Sequence, residues 1–216
     1  MSERSERIKR RTRLSPEARR AQLIELGVEM LATRTLDELS VEDIAAQAGI
    51  SRGLLFHYFG SKQEFHVEVA RAAAAELIAR TAPDTSLAPA DALQVSLVAF
   101  IDYVEENPDS YKSLVRGAAA GDSEMRAIFN DTRATMAGEV VKVVGELGYE
   151  LSPQAVLAVH GWIGFAEECT VRWIDERTVT RNELQALLAN ALVGVVLGAS
   201  DVDSAALAAI LTAGSS

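Results

Sequence analysis

The chain has 216 residues, 49% of them apolar, and 21 Lys and Arg against 31 Asp and Glu give it a net charge of −10. That length buries a core without staples, and the single cysteine, Cys169, excludes an internal disulfide framework and fits a reducing cytoplasm. No window approaches 18 uninterrupted apolar residues, Ser2–Arg13 is charged with no apolar stretch behind it, and strand-like alternation is nearly absent; the expectation is a soluble, cytoplasmic, all-α protein with neither membrane span nor secretory leader.

The charge is unevenly spread. Residues 1–66 carry 11 basic and 10 acidic side chains, whereas 67–216 carry 10 basic and 21 acidic. The basic excess gathers in residues 1–14, with cations from Arg4 to Arg13, and the expectation there is a flexible basic arm. A polyanion is drawn to that end and repelled by the rest; the alternative for the arm is a solvated tail.

Helix signals follow one another along the chain. Ser15-Pro16 opens an amphipathic helix of about 18 residues carrying Ala21, Ile24, Val28 and Leu31. Ser40, with Asp43 three residues on, imitates a capping box before a short helix that stops at Gly49, a left-handed position. Ser51 caps a third helix, Gly60 ends it, and Ser61-Lys62-Gln63-Glu64 is a full capping box for a fourth helix reaching about Arg80. Pro83 to Pro89 reads as a linker. Helices are then expected over 90–106, 109–119, 123–147, 153–176 and 181–198, with a turn at Asn107-Pro108 and caps at Asp122, Ser152 and Thr180 (with Glu183). An Ala-rich tail helix fits 203–212.

The stretch 40–59 holds two short helices joined by Ala45-Ala46-Gln47-Ala48-Gly49-Ile50-Ser51, a helix-turn-helix pattern. Ala45 is small where the helices cross, Gly49 permits the turn, Ile50 plugs the space between them, and Ser51 points the second helix's first turn outward. A helix of that size fits the B-DNA major groove. From Leu39 to Phe65, and above all in Phe56-His57-Tyr58-Phe59-Gly60-Ser61-Lys62, the sequence resembles the TetR family of transcriptional regulators. The resemblance covers about 50 residues from Pro16. It implies a three-helix DNA-binding unit, here 15–62, then a larger helical domain, 63–216, for ligand binding and dimerisation, and no enzymatic activity. Two positions depart from the family's habit: Phe56 stands where Tyr is frequent, and Leu54 where Thr or Ser is.

The expected DNA-facing residues are Ser40, Ser51, Arg52, Gly53, Leu54, Phe56, His57, Tyr58 and Lys62. Arg52 can fork to guanine or grip a phosphate, and Leu54 offers only apolar contact, for example to a thymine methyl. Gly53 allows close backbone approach, and His57 and Tyr58 carry donors suited to phosphate. Lys62 sits beside a helix N-terminus that already favours an anion. Ser40 either caps its helix or presents its amide to phosphate. Phe59 is assigned to the core.

Residues 153–176 are apolar along two stripes: Val156, Val159, Ile163, Thr170, Ile174, and Trp162, Phe165, Cys169, Trp173. Residues 184–198 are apolar nearly all round. The pair 153–198 therefore reads as the homodimer interface, with a buried hairpin of a monomer as its alternative. An effector pocket is expected among the helices 90–176, lined by Phe100, Tyr103, Tyr111, Arg116, Phe129, Met136, Trp162, Phe165 and Cys169, with His160, Glu167 and Glu168 as further polar candidates. So apolar a set suggests a lipophilic effector.

No Gly-rich phosphate loop and no nucleophile elbow occurs, and His160 with Glu167 is two ligands short of a metal site. Neither cofactor nor metal is expected. The sequence supports a ligand-responsive, DNA-binding repressor acting as a homodimer on a palindromic operator. The rival is a helical enzyme or small-molecule carrier with a basic N-terminus, which binding to upstream DNA would separate.

Overall fold

The computed structural model of the chain describes residues 14–119, 123–146 and 150–199. Those residues form nine helices: α1 (Pro16–Leu31), α2 (Val41–Ala48), α3 (Arg52–Phe59), α4 (Lys62–Thr81), α5 (Pro89–Glu106), α6 (Pro108–Ala119), α7 (Ser123–Glu146), α8 (Pro153–Glu176) and α9 (Arg181–Gly198). The all-α class and the layout of a small N-terminal unit joined by a long helix to a larger body are both present. The basic arm 1–13, the Asp122 cap and the tail helix 203–212 lie outside the described residues.

Local chemistry sets the helix starts. The side chains of Ser15, Ser40, Ser51, Ser61, Ser152 and Thr180 each accept a hydrogen bond from the backbone N–H three residues on, satisfying a donor that the first turn leaves unpaired. The reciprocal capping box forms at Thr180, whose N–H donates to Glu183 Oε2 at 2.7 Å. At Ser40 the imitation is incomplete: Asp43, too short to reach back, accepts from Arg34 Nη1 at 2.7 Å instead. Gly49 ends α2 with φ 66° and ψ 37°, and Gly60 ends α3 with φ 63°. In the Pro83–Pro89 linker, Asp84 Oδ1 accepts from both Ser86 N (2.9 Å) and Ser86 Oγ (2.6 Å), which turns the chain into Pro89 at the start of α5.

Two apolar cores result. The first gathers Leu23, Leu31, Ile44, Leu55 and Phe59 from α1–α3 with Phe65, Val69 and Ala73 of α4, and also takes Met125 from α7. The second gathers Leu77 of α4 with Phe100, Ile101, Val140, Trp162, Ile163, Leu188 and Leu192. The change from one core to the other thus falls inside α4, between Ala73 and Leu77, well beyond its first turn.

The sequence gives no hint of how tightly α1 crosses α4. A Cβ built on Gly27 would lie 2.4 Å from Val69 Cγ2 and 3.1 Å from Phe65 Cζ. Val69 is stiff at χ1 and buried, so the space cannot be made cheaply. Gly27→Ala is therefore expected to lose about 1–3 kcal/mol despite its better helix propensity. Thermal unfolding tests this; an unchanged or raised midpoint would mean that α1 and α4 can slide apart without cost.

Candidate functional site

The first turn of α3 stands clear of the protein. Ser51, Arg52, Gly53, Leu54 and His57 are exposed, Phe56 and Tyr58 are half-buried, and Leu55 and Phe59 are wholly buried beneath them. The alternation follows from the helical period: residues 55 and 59 are one turn apart and anchor the helix, leaving 52, 53 and 54 outward. The turn before α3 is closed by Ile50 N–H to Ala45 O at 2.9 Å, with Ala45 buried at the crossing. Nothing lies within 4 Å of a Cβ placed on Gly53, so that surface is open to close approach. Ser40 is half-buried and Lys62 exposed, at the starts of α2 and α4. The structure thus collects the sequence-predicted residues around α3 and the two helix starts beside it.

One partner there escapes sequence reasoning. Arg52 Nη1 is 2.7 Å from Glu42 Oε1, and its guanidinium lies 5.4 Å from the Phe56 ring centroid. Glu42 belongs to the first turn of α2, ten positions away across the turn, and no local pattern announces the contact.

His66 ties α4 to this unit. Its Nε2 bonds Leu39 O at 3.1 Å, just before the α2 cap, and the ring is buried. Burial is the main reason its pKa sits below the ordinary histidine value; Lys62 pushes the same way, and the Leu39 bond and Asp37 oppose. The unfolded chain therefore takes a proton near pH 6.5 while the folded one stays neutral. The stability this group contributes is complete above about pH 6.5 and is lost as pH falls through the lowered native value. Denaturant midpoints should drop more between about pH 7 and pH 5 for the natural chain than for His66→Gln. Parallel profiles would show that His66 titrates alike in both states.

Among the described residues the larger helical body holds at least two cavities. The larger lies among α4, α5, α7, α8 and α9, with Ile78, Leu93, Phe100, Met136, Trp162 and Leu192 among its walls. The smaller lies among α4, α5, α6, α7 and α8, with Ala73, Tyr103, Tyr111, Met125 and Phe129 among its walls. The expected effector residues therefore divide: Phe100, Met136 and Trp162 line the first, and Tyr103, Tyr111 and Phe129 the second. Two further expected residues line neither of these cavities. Phe165 is 41% exposed and lines neither cavity, because it sits about 200° round the helix from Ile163, which does. Cys169 is half-buried, lines neither, and burial raises its thiol pKa, as expected of inert packing. The side chain of Arg116 lies outside the described residues. The wall from α9 lies outside the expected helices, since an apolar residue facing a void has the same periodicity as one facing a core.

Glu167 is on the wall of both cavities and only 5% exposed. Arg133 Nε donates to Glu167 Oε2 at 2.6 Å, and the Tyr111 hydroxyl also bonds the carboxylate. Burial raises the carboxyl pKa against those two stabilising contacts, and it holds the Tyr111 phenol well above its usual range. Tyr103, pushed up to about 12 by burial, donates to Ala73 O at 3.2 Å. Arg133 also stacks 4.2 Å from the Phe129 ring centroid. Among the described residues no group of three or more His, Cys, Asp or Glu could hold a metal, and no helix is long and apolar enough to cross a membrane.

A helix-turn-helix unit with an exposed first turn, joined through one long helix to a larger helical body, is the architecture of a transcriptional regulator. Residues 23–69 match the family model of bacterial regulatory proteins of the tetR family, and residues 89–195 match that of the tetracyclin repressor-like C-terminal domain. The chain belongs to the TetR family, whose members regulate transcription and are not enzymes. It is similar to the HTH-type transcriptional repressor KstR2 of Mycobacterium tuberculosis, 37% identical over 92 residues, 42% of this chain and 46% of that one. In that match the chain spans about half the length of the relative. It is also similar to the transcriptional regulator AcuR of Cereibacter sphaeroides, 29% identical over 175 residues, 72% of this chain and 77% of that one. Among solved structures, a tetR-family regulator from Streptomyces coelicolor superposes with a TM-score of 0.78 at 27% identity, covering 93% of this chain and 91% of that one.

Proposed function

We propose that the chain is a repressor that binds a palindromic operator as a homodimer and is released by a small, lipophilic effector. The observation that carries this reading is the exposed first turn of α3, with Arg52, Gly53 and Leu54 outward over buried Leu55 and Phe59. In it, Arg52 reads guanine or holds phosphate, Leu54 meets a thymine methyl, and His57, Tyr58, Ser40, Ser51 and Lys62 hold the backbone. Phe56 supports Arg52 from below. The reading assigns 1–14 to a basic arm, 15–62 to DNA binding, and 63–216 to effector and partner.

The dimer is proposed through 153–198. On α8, Leu157 (73% exposed), Gly161, Gly164 and Glu168 form one stripe with Phe165 beside it, and on α9, Leu187 (47% exposed), Ala191, Gly194 and Gly198 form another. Exposed apolar anchors between small residues suit the close packing of helices from a second copy. The proposal is tested by fluorescence anisotropy on the duplex upstream of the chain's own gene, with sedimentation to count protomers. Saturable binding by a dimer, with log K falling linearly as log salt rises, is expected, and removing residues 1–13 should flatten that slope. Binding no tighter than to unrelated duplex, or a monomer on DNA, would overturn it.

A further inference from the structure

We infer that the effector is an apolar molecule carrying a hydrogen-bond donor, neutral or cationic, and that ligands bearing a carboxylate or phosphate are rejected. This rests on the regulatory reading above and names the chemistry of the same cavity. The side-chain donors and acceptors on the walls decide which chemistry fits.

Nearly every side-chain donor lining the larger cavity is already spent. The hydroxyls of Thr81, Ser96 and Thr135 donate to Leu77 O (2.8 Å), Ala92 O (2.9 Å) and Asp131 O (2.9 Å) of their own helices. Trp162 Nε1 donates to Leu188 O at 2.9 Å. Gln94 accepts from Gln185 through its oxygen at 3.2 Å, leaving its amide nitrogen as the remaining side-chain donor. In the smaller cavity Tyr103 and Thr132 likewise give their protons to backbone carbonyls, and Tyr111 gives its own to Glu167.

Acceptors are in surplus. Glu139 and Glu167 both line the larger cavity, and among the described lining residues there is no Lys, Arg or His. A carboxylate has about four acceptor positions. Arg133 directs both Nε and Nη2 at the same oxygen of Glu167, and Tyr111 adds one bond, so capacity is left over. The first turn of α5, where Ala90 reaches the cavity, carries its own acid, Asp91, which already supplies the negative charge favoured there. An entering anion would shed its water beside the Glu139 carboxylate and the Arg133–Glu167 pair, with no unpaired cation on the wall to replace it. An amine, hydroxyl or amide N–H instead completes an acceptor that is already buried.

Three probes of one chain length separate the classes: octylamine, octan-1-ol and octanoate, titrated at neutral pH into the full chain. Trp162 fluorescence and calorimetry report binding. The amine and the alcohol should bind and octanoate should be weaker by at least about tenfold, the scale of one charge-assisted hydrogen bond. The preference should persist in about 0.3 M salt, where attraction to the acidic surface is screened. Glu139→Gln, which leaves the Arg133–Glu167 pair untouched, should narrow the amine-to-carboxylate gap several-fold, and Glu167→Gln should narrow it further in any sample that still melts cooperatively. Octanoate binding as tightly as octylamine would overturn the inference while leaving the cavity a ligand site. If none of the three bound or altered DNA affinity, the cavity would not be the effector site, and the regulatory reading would fall with the inference.

Discussion

Arg52→Ala should weaken binding to the specific operator by about 5–150-fold, equivalent to about 1–3 kcal/mol, and relax sequence preference at one base of each half-site. Arg52 is 64% exposed on its side chain and is the only long cation in α3. Before DNA arrives it is held by Glu42 and rests on the Phe56 ring. An exposed pair of this kind is worth no more than about 1 kcal/mol, so base contacts can displace it. The displaced Glu42 then faces phosphates. Glu42→Gln should accordingly raise affinity for every duplex, while Lys62→Ala lowers it for every duplex, and neither should change which base is preferred. Competition binding against single-base operator variants distinguishes these patterns. An Arg52→Ala protein that kept its operator affinity at physiological salt would remove α3 from the reading role.

What could be read beforehand was whatever is encoded within a few residues. Ser15-Pro16, Ser51, Ser152-Pro153 and Thr180 with Glu183 place helix starts because a cap bonds a backbone amide three positions away. Gly49, which takes the left-handed backbone conformation, and Ala45, small where the helices cross, mark the turn just as locally. The long-range contacts were invisible. Gly27 meets Val69 and Arg133 meets Glu167, pairs separated by dozens of residues and reflected in no periodicity. Periodicity also places residues on helix faces without saying what each face meets, so it groups Phe165 with Trp162 although one is exposed and the other lines a cavity. The cavities themselves were legible only as a set of apolar helices, since a void leaves no mark on composition.

Effector and operator should each weaken the other's binding by the same factor, about 5–150-fold. The route lies in the packing. The N-terminal half of α4 is built into the DNA-binding core through Phe65, Val69 and Ala73, and its C-terminal turns, at Ile78 and Thr81, wall the larger cavity. A second contact runs through α7, where Met125 packs on the N-terminal core and Met136 lines the same cavity. A ligand that pushes α4 and α7 apart must therefore carry α3 with them, because Phe65 stacks edge-on against Phe59 with ring centroids 5.0 Å apart. In a dimer the two α3 helices must stay about 34–36 Å apart to enter successive major grooves, so a small tilt at α4 breaks the fit. The ligand acts only through its different affinity for the two spacings. Titrating one effector into the free protein and into the protein–operator complex, at matched salt, measures the factor from one side, and titrating operator with and without effector measures it from the other. The two factors must agree because the cycle closes, so a mismatch would mean that one titration had not reached equilibrium. Equal effector affinities in the two titrations would sink release by ligand and leave a constitutive binder governed by its abundance.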